Sequence, residues 1–331
     1  MRVLLVLVLV AVTVWGAWWW AAATAVERAT EGWIAARRAE GWTVDTGGTA
    51  VRGFPNRLDL TLTAPRLADP VTGTAWAAPF VQLFALSYRP WHVIAAFPPE
   101  QNIDLADGGG LRIAAAKLQA SLVVRPSVDL TFDRAALVGD AVELRTPQDT
   151  VLMEVLRVGL REAEGRPGVL DLGVEVHRLD PGAAFRAGLP AGTPLPERIA
   201  TAKLLADIGL TAPLDRHLPY TRPRVSRVEL RDGRLDWGSL RIEARGAVSA
   251  DAAGRAEGRI DITFHDWPLA LAAAQAAGWI APEVAPTWTQ ALTMLEAAGG
   301  TPGTVTLPLA MSGGWMSLGP LPIGAAPRLS N

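Results

Sequence analysis

The chain of 331 residues has no cysteine, only two tyrosines and, among its 31 basic residues, only two lysines, Lys117 and Lys203. The lack of cysteine excludes disulfides, thiolate zinc sites and a cysteine nucleophile. A formal net charge of −2 gives no electrostatic case for binding nucleic acid, and no nucleic-acid partner is expected.

Motifs of catalysis and phosphate binding are also missing. The sequence has no G-x-G-x-x-G, no Walker loop, no H-E-x-x-H and no G-x-S-x-G. Its histidines, His92, His177, His217 and His265, do not have the spacing of metal ligands. We therefore expect no catalytic residues, no metal and no cofactor. A triad assembled from distant positions keeps an envelope enzyme open as an alternative.

The amino terminus contains a long apolar run. Arg2 is followed by an uncharged segment from Val3 to Val26, longer than the roughly 20 residues that cross a bilayer core. Four tryptophans near its far end are predicted to lie at the membrane interface, as in an aromatic belt: Trp15, Trp18, Trp19 and Trp20. Residues 1–26 are predicted to be a single-pass signal-anchor in the inner membrane, with the rest of the chain in the periplasm.

Cleavage is the alternative. "ATA" at Ala23–Ala25 fits an A-x-A cleavage site, which would leave a soluble periplasmic protein. Against cleavage, helical spacing of Ala29, Trp33 and Ala36 predicts that the apolar helix continues through a membrane-proximal part, residues 27–41.

From residue 42 to residue 331 the pattern changes to a period of two. Leu58, Leu60 and Leu62 share one face of a predicted strand, and "VELRDGRLDWGSLRIEARGAVSADAAGRAEGRIDITF" predicts four strands with turns at Asp232–Gly233 and Gly238. The predicted fold is mainly β (α+β): an N-terminal transmembrane helix, then an antiparallel, curved β-sheet ectodomain with a few covering helices.

The ectodomain divides by pattern into sheet halves at about 42–145 and 224–331, with a less regular middle. Helices are predicted at 150–164 and 196–207 in the middle, and at 268–279 and 286–298 near the end. Asp266 is expected to cap the third of these helices, with Pro268 just inside it.

Several blocks resemble the family catalogued as domain of unknown function 2125: "RRAEGW", "VRGFPNRLDLTLTAPRLADP", "LFALSYRPWHVIAAFPPEQ", "LDWGSLRIEARGAVSADAAGRAEGRIDI" and "LGPLPIGAAPRL". That family is similar to the AsmA-like group of envelope proteins, which are membrane-anchored, β-rich and linked to lipid traffic or outer-membrane assembly. The resemblance implies the anchor and the sheet, and it supplies no catalytic residue.

These observations favour a non-enzymatic binding module for lipid or another apolar ligand in envelope biogenesis. The candidate lining residues are apolar members of the alternating strands, which could equally form a filled core: Leu58, Leu60, Leu62, Leu240, Ile242, Ile260 and Ile262. The alternative is a structural or assembly factor that pairs a sheet edge with another envelope protein. The expected partners are thus the inner membrane and either lipid or an envelope protein.

Overall fold

A computed structural model describes residues 1–299 and 301–329. The chain forms two compact units. Unit 1 comprises Met1–Val124 and Leu137–Pro147, and unit 2 comprises Arg125–Ala136 and the chain from Gln148 onward. The helices are α1 (Arg2–Ala39), α2 (Ala183–Ala187), α3 (Leu218–Thr221), α4 (Trp267–Ala276) and α5 (Ala285–Gly299).

The strands of the first part of the chain are short. They are β1 (Thr43–Asp45), β2 (Gly48–Arg52), β3 (Arg57–Thr63), β4 (Arg66–Ala68), β5 (Ala75–Ala77), β6 (Phe80–Leu86), β7 (Arg89–Ala96), β8 (Glu100–Asp104), β9 (Gly110–Ala114) and β10 (Lys117–Val124).

Most of the later strands are longer. They are β11 (Phe132–Arg145), β12 (Thr150–Glu162), β13 (Val169–Asp180), β14 (Ile199–Leu210), β15 (Val225–Trp237), β16 (Leu240–Ala250), β17 (Ala256–His265), β18 (Thr304–Ser312), β19 (Trp315–Leu318) and β20 (Leu321–Ala325).

The helix α1 is continuous from the apolar run into the membrane-proximal part, which confirms the predicted continuation of the helix. It ends where Gly41 adopts a positive φ of 90°. Arg38 in its last turn donates a hydrogen bond from Nε to the carbonyl oxygen of Val44 at 2.9 Å. Val44 on β1 is almost fully buried, so the end of α1 is fixed to the sheet of unit 1.

Unit 1 contains two antiparallel strand series. One has the order β2-β3-β6-β7-β10, and the other has the order β1-β4-β5-β8-β9 with the end of β11. The two series meet at aligned interruptions of the strands, where Pro65 and Pro98 are fully buried and Ala78 and Ala115 nearly so. Proline lacks the amide that a continuous ladder needs, which accounts for the breaks at Pro65, Pro79 and Pro98.

Unit 2 contains an antiparallel meander in which each strand from β12 to β20 pairs with the next. The alternation read from the sequence sets its two faces, because successive side chains of a strand point to opposite sides. The predicted antiparallel sheet with an N-terminal helix and a few covering helices is therefore confirmed.

Two predicted helices are wrong. Residues 150–164 and 196–207 lie mainly in β12 and β14, so the middle of the chain contributes long strands to the meander. The helices predicted at 268–279 and 286–298 are confirmed as α4 and α5.

The turn predicted at Asp232–Gly233 is also wrong. The strand β15 runs through these residues, and its register with β16 shifts between Leu230 and Gly233. Such a bulge admits extra residues without reversing the chain, so the stretch from Val228 to Phe264 forms three strands and not four.

Three buried clusters hold unit 2 together. Trp267 of α4 and Leu292 of α5 pack on Val305 and Leu307 of β18. Ile199, Trp237 and Leu240 pack with Leu269 of α4, and Phe185 of α2 lies against them. The third cluster joins β16, β17 and β18 to Ala326 near the end of the chain.

Asp266 stands at the N-cap position of α4, but its side chain makes no capping hydrogen bond. Its carboxylate instead accepts a hydrogen bond from the Ser239 hydroxyl at 2.7 Å, so the capping prediction is wrong. Glu296 on α5 fastens the helix pair, since it accepts hydrogen bonds from Trp267 Nε1 at 2.8 Å and from the Gly303 amide at 2.6 Å. Both contacts lower the pKa of Glu296, the backbone one more.

Candidate functional site

One face of β12, β13 and β14 is apolar over a central stretch, between Glu154 at one end of β12 and Glu162 at the other. Val158, Val174 and Leu204 lie side by side in one row of this face, and Leu160, Leu172 and Ala206 lie in the next. We call this surface the open apolar face, and define it by Leu156, Val158, Leu160, Leu172, Val174, Val176, Leu204 and Ile208.

The helices of unit 2 do not lie on this surface. Their most extensive contacts with the sheet are with β16 and β18, and α4 also packs on Ile199 at the start of β14 and on Trp237 of β15. None of the residues that define the open apolar face belongs to the three buried clusters or packs against them. Leu204 keeps 36% of its surface exposed, and the other members are half-buried by their neighbours in the sheet. Standard strand spacings give it about 10 Å across the strands and about 14 Å from Leu156 to Leu160.

The opposite face of the same strands is charged. Arg161, Asp171 and Asp207 are paired across β12, β13 and β14. Arg166 Nη1 donates to the buried carboxylate of Asp207 at 2.5 Å, and Arg231 Nε lies 3.0 Å from the same carboxylate. The hydrogen bond from Arg166 lowers the pKa of Asp207, and the charge of Arg231 acts in the same direction. The sheet thus presents a polar side and an apolar side.

A small pocket lies beyond one end of the open apolar face. Phe132, Leu170, Leu210 and Leu214 are among its lining residues, and its volume of about 10 Å³ matches roughly one water molecule. This pocket is too small for an organic ligand.

The histidines are in separate places. His177 Nε2 is 2.8 Å from Glu175 on the polar side of β13, and His217 is 3.8 Å from Asp129. Within residues 1–299 and 301–329, no three His, Asp or Glu side chains are grouped to hold a metal ion.

Comparison with protein families gives one match over most of the chain. A family model described as "Uncharacterized protein conserved in bacteria (DUF2125)" matches residues 19–327. The chain belongs to the DUF2125 family. No curated protein and no solved structure matches it.

In this DUF2125 protein the lining residues predicted from the sequence occupy different environments. Leu58 and Leu60 are buried in unit 1, and Leu240 is buried in the cluster beneath α4. Ile242 packs against that same cluster and Ile260 against the cluster near the chain end. Leu62 and Ile262 are half-buried. Within unit 2, Leu240, Ile242, Ile260 and Ile262 lie on one face of the paired strands β16 and β17. The role of all these residues in binding stays a prediction.

The predicted membrane-interface tryptophans are all on α1. This helix is long and apolar enough to cross a membrane, and none of its most apolar 18 residues is buried, a signature shared by anchors and signal sequences. Trp15 and Trp18 stack with ring centroids 5.7 Å apart. Trp15, Trp18 and Trp20 are exposed, and the indoles of Trp15 and Trp19 are hydrogen-bonded to the β2–β3 hairpin.

Sequence reasoning missed the open apolar face of the DUF2125 protein. Most of its residues lie in the two segments that were predicted to be helices and in β13 between them, and Ile208 directly follows the second of these segments. The available signal was the alternation in "GVLDLGVEVHRL", which places Leu170, Leu172, Val174 and Val176 on one side of a strand.

Proposed function

We propose that this protein is a non-enzymatic lipid-binding module, anchored in the inner membrane by α1 with both units in the periplasm. The open apolar face supports the proposal most directly: it is a contiguous apolar surface whose defining residues lie outside the clusters that α2, α4 and α5 cover. Exposed contiguous apolar surface on a folded domain normally marks a site for a ligand or partner.

The proposed ligand is an acyl chain lying along the sheet. Each methylene group that it buries contributes roughly 0.8 kcal/mol, so a surface about 14 Å long can hold part of one chain with useful affinity. The chemistry needs no catalytic group, and the charged residues on the other side of β12–β15 keep that side in water. The resemblance to AsmA-like envelope proteins supports the same ligand class.

Photo-crosslinking to lipid tests this proposal. The full chain would be placed in vesicles that contain a phospholipid with a diazirine in its acyl chain, irradiated, and mapped by peptide mass spectrometry. We expect adducts on β12–β14, and we expect Leu204→Lys to reduce them about tenfold. That loss corresponds to about 1.4 kcal/mol, close to the burial of two methylene groups.

Leu205→Lys is the matched control, because Leu205 is the next residue of the same strand. It is paired with Asp232 of β15 and belongs to the polar face. A lysine there should leave the adducts unchanged. Acyl binding on this face would be refuted if Leu204→Lys formed as many adducts as the wild type. It would also be refuted if Leu204→Lys and Leu205→Lys lost adducts equally while their circular dichroism spectra were unchanged.

A further inference from the structure

The tip of the β2–β3 hairpin is bonded to the apolar part of α1. Trp15 Nε1 donates to the carbonyl oxygen of Pro55 at 3.0 Å, and Trp19 Nε1 donates to that of Arg57 at 2.7 Å. These bonds connect residues 40 and 38 positions apart in sequence. They fix the hairpin tip beside one particular turn of the helix.

The turn between β6 and β7 joins the same place. The amide of Ser87 donates to the carbonyl oxygen of Asn56 at 2.9 Å, and its hydroxyl donates to that of Pro55 at 3.2 Å. Ser87 is fully buried, whereas the next residue, Tyr88, is 55% exposed. The two hairpin tips therefore form one surface next to α1.

That surface exposes aromatic rings. Phe54 is 56% exposed, although its ring lies edge-on to Trp19 with centroids 5.5 Å apart. A β-carbon on Gly16 would lie 3.9 Å from the Phe54 ring, so the small helix residue leaves room for the ring. Phe54, Tyr88, Trp15 and Trp18 thus give the helix and the tips a common exposed aromatic rim.

The length of α1 determines the depth of this rim. From Val3 to Val14 the helix rises only about 18 Å, whereas the hydrocarbon core of a bilayer is about 30 Å thick. A span that starts at Val3 must therefore continue for about another 12 Å, through Trp15 and Trp19 to about Ala22. The hairpin tips bonded to those tryptophans then lie at the same depth.

We propose that the tips of the β2–β3 and β6–β7 hairpins enter the lipid layer that holds α1 and form a second membrane contact. The proposal rests on the anchor in the proposed function and is independent of acyl binding by unit 2. Backbone carbonyls in lipid need internal partners, and the indole N–H groups supply them for Pro55 and Arg57. In the proposed position, Arg57 would enter the lipid layer as an ion pair with Asp59. Its guanidinium carbon also lies 5.6 Å from the centre of the Phe84 ring.

Depth-dependent quenching tests the proposal on the full chain. Since the chain has no cysteine, a single introduced cysteine can carry an environment-sensitive fluorophore without background labelling. Phe54→Cys and Tyr88→Cys would be labelled in phosphatidylethanolamine–phosphatidylglycerol vesicles containing lipid with a nitroxide at acyl carbon 5. We expect about threefold stronger quenching at both than at Val71→Cys, because aromatic residues of interfacial belts lie at that depth.

Val71→Cys and Val10→Cys are the reference positions. Val71 is 89% exposed in the turn between β4 and β5, and Val10 lies in the apolar run of α1. If the label at Val10→Cys is quenched while the labels at Phe54→Cys and Tyr88→Cys are quenched no more than the label at Val71→Cys, the hairpin contact is overturned and the anchor stays intact. A lack of quenching at Val10 overturns the anchor and the hairpin contact together.

A variant of the helix gives an independent readout. Gly16→Leu places a side chain where the Phe54 ring lies, and we expect it to reduce quenching at Tyr88→Cys at least twofold. Gly16→Ala, whose β-carbon fits at 3.9 Å, should have no effect. Unchanged quenching in Gly16→Leu would show that α1 does not position the tips.

Discussion

Asp207 on β14 is a buried carboxylate between two arginines from different parts of the sheet. Arg166 reaches it from the loop after β12, and Arg231 reaches it from β15. Both arginines also contact Asp171 of β13 at 3.4 and 3.6 Å. The arginines are partly exposed, whereas Asp207 is buried. Its negative charge therefore holds both arginines in place.

Asp207→Asn should destabilise the protein by about 2 kcal/mol, within the range for hydrogen bonds to charged groups. The neutral amide keeps the shape of the side chain but loses the charge that both arginines bind. Urea unfolding of the detergent-solubilised chain measures the change. Asp261→Asn is the control, since Asp261 pairs with the exposed Arg259 and is itself 47% exposed, and it should cost less than about 1 kcal/mol.

The effect of Asp207→Asn should depend on pH. The pKa of Asp207 is lowered in the folded state, so its carboxylate stabilises the fold above the unfolded-state pKa of about 3.9. That stabilisation is lost as the pH falls through the lower folded-state value. The two proteins should therefore differ most near neutral pH and converge in acid, and a difference independent of pH would contradict this assignment.

At the scale of elements, two glycines allow β16 and β17 to approach closely. Gly246 has a φ of +151° and Gly258 a φ of +145°. A β-carbon on Gly246 would clash with the carbonyl oxygen of Arg259, and one on Gly258 would clash with that of Ala247. The obstructing atoms belong to the backbone, so a side-chain movement cannot relieve either clash.

Gly246→Ala should destabilise unit 2 by about 2–3 kcal/mol through strain at an unfavourable φ and overpacking. Gly159→Ala is the control, because a β-carbon there meets nothing within 4 Å. It should be neutral or slightly stabilising, since alanine reduces the freedom of the unfolded chain. Thermal unfolding of both variants measures the difference, and equal melting temperatures would show that β16 and β17 shift apart easily.

Strands and helices could be predicted correctly where the spacing of the apolar residues fits only one type of secondary structure. The alternation around Leu58 to Leu62 and Leu240 to Val248 correctly predicted strands. In "TVLMEVLRVGLRE", however, Leu152, Leu156 and Leu160 recur every four residues. A spacing of four fits one face of a helix and also one face of a strand, so that pattern cannot distinguish them.

The helix predicted at residues 196–207, which form most of β14, was wrong for a different reason. "PERIATAKLLAD" has a leading proline and good helix formers. Ladder pairing with β13 on one side and β15 on the other overrides that local preference. Helix propensity describes the preference of an isolated segment, whereas the conformation of a central strand is determined by hydrogen bonding to the strands on both sides.

For the whole molecule, the sequence predicted which residues share a face but not what covers that face. Leu240 and Leu204 both lie on apolar sides of strands, yet Leu240 is buried beneath α4 and Leu204 is exposed. The sequence also predicts that the tryptophans of α1 are interface residues, but it does not show the hydrogen bonds of Trp15 and Trp19 to the β2–β3 tip, which depend on folding across about 40 residues.

The hydrogen bonds of Trp15 and Trp19 to the β2–β3 hairpin predict that the amino-terminal segment is retained. Cleavage after Ala25 would remove both indole donors and leave the carbonyl groups of Pro55 and Arg57 without them. Peptide mapping of protein extracted from membranes should find the tryptic peptide from Val3 to Arg28. A chain that starts at Val26 would contradict the prediction.

The continuity of α1 limits how far unit 1 can travel. The helix has no break between Arg2 and Ala39, and Arg38 is bonded to β1 directly after it, so no flexible tether separates the apolar segment from the sheet. Membrane proteins on flexible linkers search a volume whose radius grows with linker length. Here, with α1 in a bilayer as proposed, unit 1 diffuses in two dimensions and meets only molecules that come to its own leaflet.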